Sequence, residues 1–253
     1  MVNVEERYEG RVVVATLDLP KGNVLTAAMI GELTDVVSRV QESPGARALV
    51  IGAEGRHFSF GASVEEHQAD QVGDMLPAFH RLIGALVHCD VTTVAVVQGQ
   101  CLGGGFELVL GCDLVFALPS ARMGVPEITL GVFPPPASIL LPAKIGPAAA
   151  QEMIATGASF DARRLRELGL VNRVLEEEGA DDAVNAWVEK EVIPRSAASL
   201  RFANRASQRA LRRLWDEDIG AVEKMYLEEL MKTPDANEGI GAFLEKRRPR
   251  WES

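Results

Sequence analysis

Cysteine, histidine, positive charge and long apolar runs are all scarce in this sequence, and each shortage removes a class of function. The three cysteines, Cys89, Cys101 and Cys112, are odd in number, lie in apolar surroundings and lack metal-type spacing. They read as reduced core residues of a cytosolic protein, and no metal site is expected. The four histidines, His57, His67, His80 and His88, share no triad or ligand spacing. His67 comes soon after a glycine loop and could line a pocket there, but a surface role is expected of it. Lys and Arg number 26 against 36 Asp and Glu, a formal net charge of −10. That balance argues against a nucleic-acid or anionic-membrane surface, so an anionic ligand needs a local basic cluster. No run of roughly 18 apolar residues occurs, nor does a charged segment leading into an apolar one at the start. The chain is therefore expected to be cytoplasmic, neither secreted nor membrane-spanning.

What is present is an ordinary globular composition, 47% hydrophobic and 25% charged over 253 residues, enough for one large core with an appended part. Two extended segments around Glu9-Gly10 predict a hairpin. From Thr26 as N-cap, Met29, Ile30, Leu33, Val36, Val37 and Val40 recur at helical spacing up to Ser43-Pro44-Gly45. A buried strand follows at Ala48, then a loop from Arg56, and then a helix with Met75, Leu76, Phe79, Leu82, Ile83 and Leu86 inward. The strand from Val91 comes next. Strands and helices alternate, which predicts an α/β fold. After Pro142 the pattern is mainly helical, and we place a boundary near 195: a core over 1–195 and a helical region over 196–253.

Two stretches carry chemistry. In Gln98–Asp113, QGQCLGGGFELVLGCD, a strand runs into Gly103, Gly104 and Gly105 and then a short buried helix with Glu107 in its first turn. Glycines let backbone N–H groups approach a ligand, and a helix N-terminus leaves such groups unpaired. Taken alone, the stretch fits equally a tight turn followed by an acid that the helix dipole favours. GRHFSFGASVEEH, from Gly55 to His67, repeats the arrangement of strand and glycine loop. Glu127, in MGVPEITLGVFPPPAS, supplies a second carboxyl; two carboxyls serve acid–base chemistry when one accepts a proton while the other donates.

LPKGNVLTAAM, HFSFGASVEEH, VQGQCLGGGFELVLGCD, MGVPEITLGVFP, LGLVNRV and EGIGAFLEKRRPRW together resemble the enoyl-CoA hydratase/isomerase (crotonase) superfamily over nearly the whole chain. The resemblance implies a crotonase-type spiral of ββα units with a C-terminal helical trimerisation region, assembled as a homotrimer or hexamer. It implies an acyl-CoA substrate, with coenzyme A as part of the thioester and no prosthetic group. By motif position, the N–H groups of Ala62 and Gly104 would hold the thioester oxygen, Glu107 would activate water, and Glu127 would exchange a proton with the substrate carbon. Donors aimed at an enolate oxygen are worth roughly 3 kcal/mol each or more. The same resemblance assigns coenzyme A contacts to Lys21, Val24, Ser59, Gly61, Ala62 and Lys246.

Two departures refine this. Phe60-Gly61-Ala62-Ser63 stands where many members carry an alanine-glycine-alanine-aspartate run, so that aspartate's role is missing. Phe133-Pro134-Pro135-Pro136-Ala137 replaces a glycine-rich stretch, predicting a stiffer, more apolar pocket wall. With FGAS-VEEH and GQCLGGGFEL, this segment is similar to the cyclohexa-1,5-diene-1-carbonyl-CoA hydratases of aromatic compound degradation. Water would then add to the ring carbon β to the thioester and the proton to the far end of the diene. The alternatives are a hydratase of ordinary short-chain enoyl-CoA, a CoA-thioester isomerase or hydrolase, and a non-catalytic acyl-CoA-binding subunit.

Overall fold

A computed structural model describes residues 1–67 and 72–252. The expected hairpin is β1 (Val2–Arg7) and β2 (Val12–Leu17), antiparallel. Helix α1 (Ala27–Glu42) starts at Thr26, whose hydroxyl accepts the Met29 N–H at 3.3 Å, and it buries the six apolar residues the spacing singles out. Strand β3 (Ala48–Ala53), helix α2 (Val72–Val87) and strand β4 (Thr92–Val97) come next in the expected order. Then come β5 (Gln100–Leu102), α3 (Gly104–Gly111), β6 (Leu114–Ala117) and β7 (Arg122–Gly124).

The main sheet runs β1-β2-β3-β4-β6-β9, where β9 is Arg173–Val174, and every pairing after the hairpin is parallel. All six residues of β4 are buried, as a parallel central strand covered on both faces requires. One face carries the large core, to which α1, α2 and α3 contribute Leu33, Phe79 and Phe106. On the other face, α7 (Ala180–Trp187) and the π turn Val188–Val192 set Val184, Val188 and Val192 against Val50, Val94 and Phe116, with Trp187 edge-on to Phe116. A smaller sheet, β5-β7-β8 with β8 at Ser159–Asp161, stands beside α3 and fixes the loops around it.

The proline run, expected to stiffen a pocket wall, starts a helix. Pro135 opens helix α4 (Pro135–Ile145), with Pro134 as its N-cap. Proline is tolerated there because the first helical N–H groups lack intrahelical partners. Helices α5 (Pro147–Thr156) and α6 (Ala162–Glu167) continue the chain. The C-terminal part comprises α8 (Ala197–Ser207), α9 (Arg209–Lys224), a π turn at Met225–Glu229 and α10 (Pro234–Leu244). It does not stand apart from the rest: Trp215 enters the large core, while Tyr226, Met231, Ala236 and Ile240 form a third cluster with Val72, Leu76 and Val132. No helix among the described residues is long and apolar enough to cross a membrane.

Candidate active site

That third cluster walls a narrow cleft open to solvent, and Gly61, Ala62, Gly104, Glu107 and Glu127 all line it. One wall is main chain. The segment after β3 is tied to β5 by a parallel bridge between Ser59 and Cys101, with Ser59 N–H donating to Gln100 O at 3.1 Å and Leu102 N–H to Ser59 O at 2.9 Å. A second bridge joins Leu25 to Ala62 through Leu25 N–H to Gly61 O (2.9 Å) and Ser63 N–H to Leu25 O (3.2 Å). In a parallel bridge of this kind the N–H of Ala62 itself points away from Leu25. Gly103 N–H is taken by Gly124 O at 2.9 Å, whereas Gly104 begins α3 and its N–H has no partner within the helix. Among the described residues, no acceptor pairs with the N–H of either Ala62 or Gly104. The two lie side by side: a Cβ placed on Gly104 would come within 3.1 Å of the Ala62 nitrogen.

Within the site, the glycine that bears on a carboxyl is Gly103. Its φ is +51° with ψ −128°, and a Cβ there would sit 2.6 Å from Glu127 Oε1. The same loop thus presents an amide at Gly104 and admits the second carboxyl at Gly103.

The opposite wall is made of side chains. Glu107 is 4% exposed, and its Oε1 accepts the Ala137 N–H at 3.0 Å. Of the four N–H groups that an α-helix leaves free at its start, Pro134, Pro135 and Pro136 lack three, so the single remaining donor of α4 is committed to Glu107. Glu127 follows Pro126 in a 3₁₀ turn (Pro126–Leu130); its Oε2 is sealed from solvent and has no hydrogen-bond partner. Burial holds the Glu107 carboxyl well above its usual range, and the charge of Glu127 adds to the effect, opposed by the Ala137 donor. Burial likewise raises Glu127, to about 7. Two such carboxyls favour holding one proton between them at neutral pH.

Sequence reasoning missed Tyr226 and the Ala137 amide. Tyr226 is 1% exposed, lines the cleft and meets the Phe133 ring edge-on at 5.4 Å between centroids. Its phenol is raised above the usual range by burial, then by the charges of Glu127 and Glu107. In the sequence it is one residue of an amphipathic helix, and nothing local marks it. The remaining apolar lining includes Met75, Leu76, Phe79, Leu130, Val132 and Ile240.

The residues assigned to coenzyme A are placed less uniformly. Ser59 is fully buried; its hydroxyl donates to Asn23 O at 2.7 Å and accepts the Gly61 N–H at 3.1 Å, so it holds the loop that carries Ala62. Lys21 is exposed in the turn that supports Phe60 at the cleft mouth, where Phe60 N–H donates to Gly22 O at 2.8 Å. Val24 precedes the bridged Leu25. Lys246 is exposed just after α10, whose Ile240 reaches the cleft, and the neighbouring Arg247 is held by Glu238 and Glu245. Lys21, Val24, Ser59 and Lys246 are not among the residues lining the cleft.

Residues 7–253 match the model of the family described as Enoyl-CoA hydratase/isomerase. A cyclohexa-1,5-dienecarbonyl-CoA hydratase of Thauera aromatica is 41% identical over 245 residues, covering 97% of this chain and 94% of that protein. A carnitinyl-CoA dehydratase of Citrobacter koseri is 30% identical over 250 residues, 96% of this chain and 95% of that one. Among solved structures, an enoyl-CoA hydratase from Mycobacterium avium subsp. paratuberculosis superposes with a TM-score of 0.87 at 26% identity, covering 100% of this chain and 98% of its own.

Proposed function

The chain belongs to the enoyl-CoA hydratase/isomerase family, and on that premise we propose that this hydro-lyase acts on a cyclic dienoyl-CoA of the cyclohexa-1,5-diene-1-carbonyl type. The observation that carries the reading is the juxtaposition, in one cleft, of two unpaired amides and two buried carboxyls of raised pKa. The 41% identical relative and the apolar wall from Leu130 to Pro135 support a cyclic acyl group.

In this reading the N–H groups of Ala62 and Gly104 receive the thioester oxygen, and charge that develops there is met by donors already in position. The Glu107 and Glu127 pair shares one proton, and the form that reacts carries it on Glu127, leaving Glu107 ionised. Water, held between the carboxyls, gives its proton to Glu107 as its oxygen bonds to the ring carbon β to the thioester. The electron pair of the α,β double bond passes into a dienolate. Glu127 then protonates the far end of the diene, leaving a new double bond at the α carbon. The proton on Glu107 restores the pair, so water is added without net loss or gain. Coenzyme A enters as part of the substrate. Exposed Lys21 and Lys246 are the cations we assign to its phosphates. Helix α8, which buries no residue and exposes Phe202, fits assembly as a trimer or hexamer.

The test is a panel of straight-chain, branched and cyclic enoyl-CoAs, followed by loss of the conjugated-thioester absorbance and product identification. The cyclic dienoyl-CoA is expected to turn over at least about tenfold faster than crotonyl-CoA. Equal turnover of the two sinks the cyclic assignment and leaves an ordinary short-chain hydratase.

A further inference from the structure

Two buried polar atoms in the cleft are left without partners on the protein, Tyr226 Oη and Glu127 Oε2. A hydroxyl buried without a partner costs about 1–3 kcal/mol, and a carboxylate oxygen costs more, so such atoms survive where a ligand completes them. They are complementary, since the phenol can donate and a carboxyl oxygen can accept, yet they do not bond to each other. The phenol is close enough to both carboxyls for their charges to raise its pKa. The backbone at Tyr226 is also unusual. It lies in the π turn Met225–Glu229, a local departure from α geometry of the kind that recurs at functional sites. The Phe133 ring, set by the proline segment that opens α4, packs against its edge.

We propose that the Tyr226 hydroxyl is a further catalytic group, donating a hydrogen bond to the oxygen atom that is added to or eliminated from the substrate. The assignment rests on the reading that Glu107 and Glu127 handle that oxygen. A water in the cleft has two protons and two lone pairs. With its protons directed to Glu107 and Glu127, it accepts from Tyr226 through one lone pair, and the other faces the ring carbon. The three protein groups thereby fix the water's orientation. In the reverse direction the same phenol donates to the departing hydroxide. The group also selects its ligand, because a hydroxylated acyl chain satisfies both orphan atoms and a deoxy chain leaves them unpaired.

Tyr226→Phe removes the hydroxyl while keeping the ring that packs on Phe133. It is expected to lower kcat by about 10- to 100-fold, the loss of one hydrogen bond to a reacting atom. The decisive readout is a ratio within one protein: the inhibition constants of 6-hydroxycyclohex-1-ene-1-carbonyl-CoA and of its deoxy analogue, cyclohex-1-ene-1-carbonyl-CoA. The native protein should prefer the hydroxylated compound by tenfold or more, and Tyr226→Phe should shrink that preference by about tenfold, whatever the variant's stability. A native preference below about threefold, or one that the substitution leaves unchanged within about twofold, overturns the proposal. Glu107→Gln, assayed alongside, separates the two levels. If it retains full turnover, the reading of the site itself fails; if it is inactive while the ligand ratio ignores Tyr226→Phe, only the role of Tyr226 fails.

Discussion

The two walls of the cleft solve the same problem, placing polar groups in a largely apolar pocket, by opposite means. On the wall carrying Ala62 and Gly104, the positions of the polar atoms follow from main-chain pairing: the Ser59–Cys101 and Leu25–Ala62 bridges and the Gly103 to Gly124 bond use up the neighbouring groups and leave the Ala62 and Gly104 N–H groups without an acceptor among the described residues. Such donors are held rigidly at little cost, because the bonds that fix them are the fold's own. On the other wall, Glu107, Glu127 and Tyr226 come from α3, a 3₁₀ turn and a C-terminal π turn, and of their three polar groups Glu107 alone is held by a distant amide, that of Ala137. That wall carries buried carboxyls whose charged forms the protein disfavours and two atoms with nothing to bond. Precision is cheap where backbone supplies it and destabilising where side chains do.

The largest effect should come from striking the side-chain wall at its centre. Glu107→Gln removes the proton acceptor while keeping the Ala137 contact, and kcat should fall by about 10³-fold or more with KM little changed. Next is the glycine that joins the two walls. Gly103→Ala puts a methyl group 2.6 Å from Glu127 Oε1 and forces alanine into φ +51°, so kcat should drop by about 10²-fold and unfolding should lose roughly 1–3 kcal/mol. If steady-state kinetics show Gly103→Ala unimpaired, the two walls are not joined at that glycine.

Ser59→Ala tests the main-chain wall through its support, since it orphans the Gly61 N–H and removes the donor to Asn23 O. Denaturant titration should show a loss of about 1–3 kcal/mol, and kcat/KM should fall by about tenfold or less because the strand bridges remain. The smallest effect has the opposite sign. A carboxyl whose folded pKa is raised, as Glu127's is from 4.5 to about 7, stabilises the fold fully below the unfolded value. That contribution is lost as pH rises through the folded value. Glu127→Gln should therefore be more stable than the native protein at pH 8, on the order of 1 kcal/mol, with the gain vanishing near pH 4 in thermal melts. An equal gain at both pH values would mean that the side-chain wall is not under electrostatic stress.

Much of this was legible in residues that act locally. The stripe from Met29 to Val40 and its Thr26 cap specified α1 residue by residue, and a strand stopping at three glycines specified the junction at α3. Both rest on short-range rules of periodicity, capping and backbone freedom. The proline run was only half readable. Its composition forecast an apolar wall, but whether the three prolines make a loop or a helix start depends on the residues C-terminal to them and on which acceptor meets the last free N–H.

By itself, then, the sequence determined an α/β chain, its buried helix faces and the glycine loop that ends a strand at α3, because each arises from interactions among near neighbours. Its ordered motifs also carried the family likeness. Only the tertiary structure decided that Glu107 and Glu127 share one cleft, that Ala137 holds the first and Gly103 admits the second, and that Tyr226 turns in from the far end of the chain. Those facts depend on burial and on contacts between distant segments, and neither a single residue type nor its spacing encodes them.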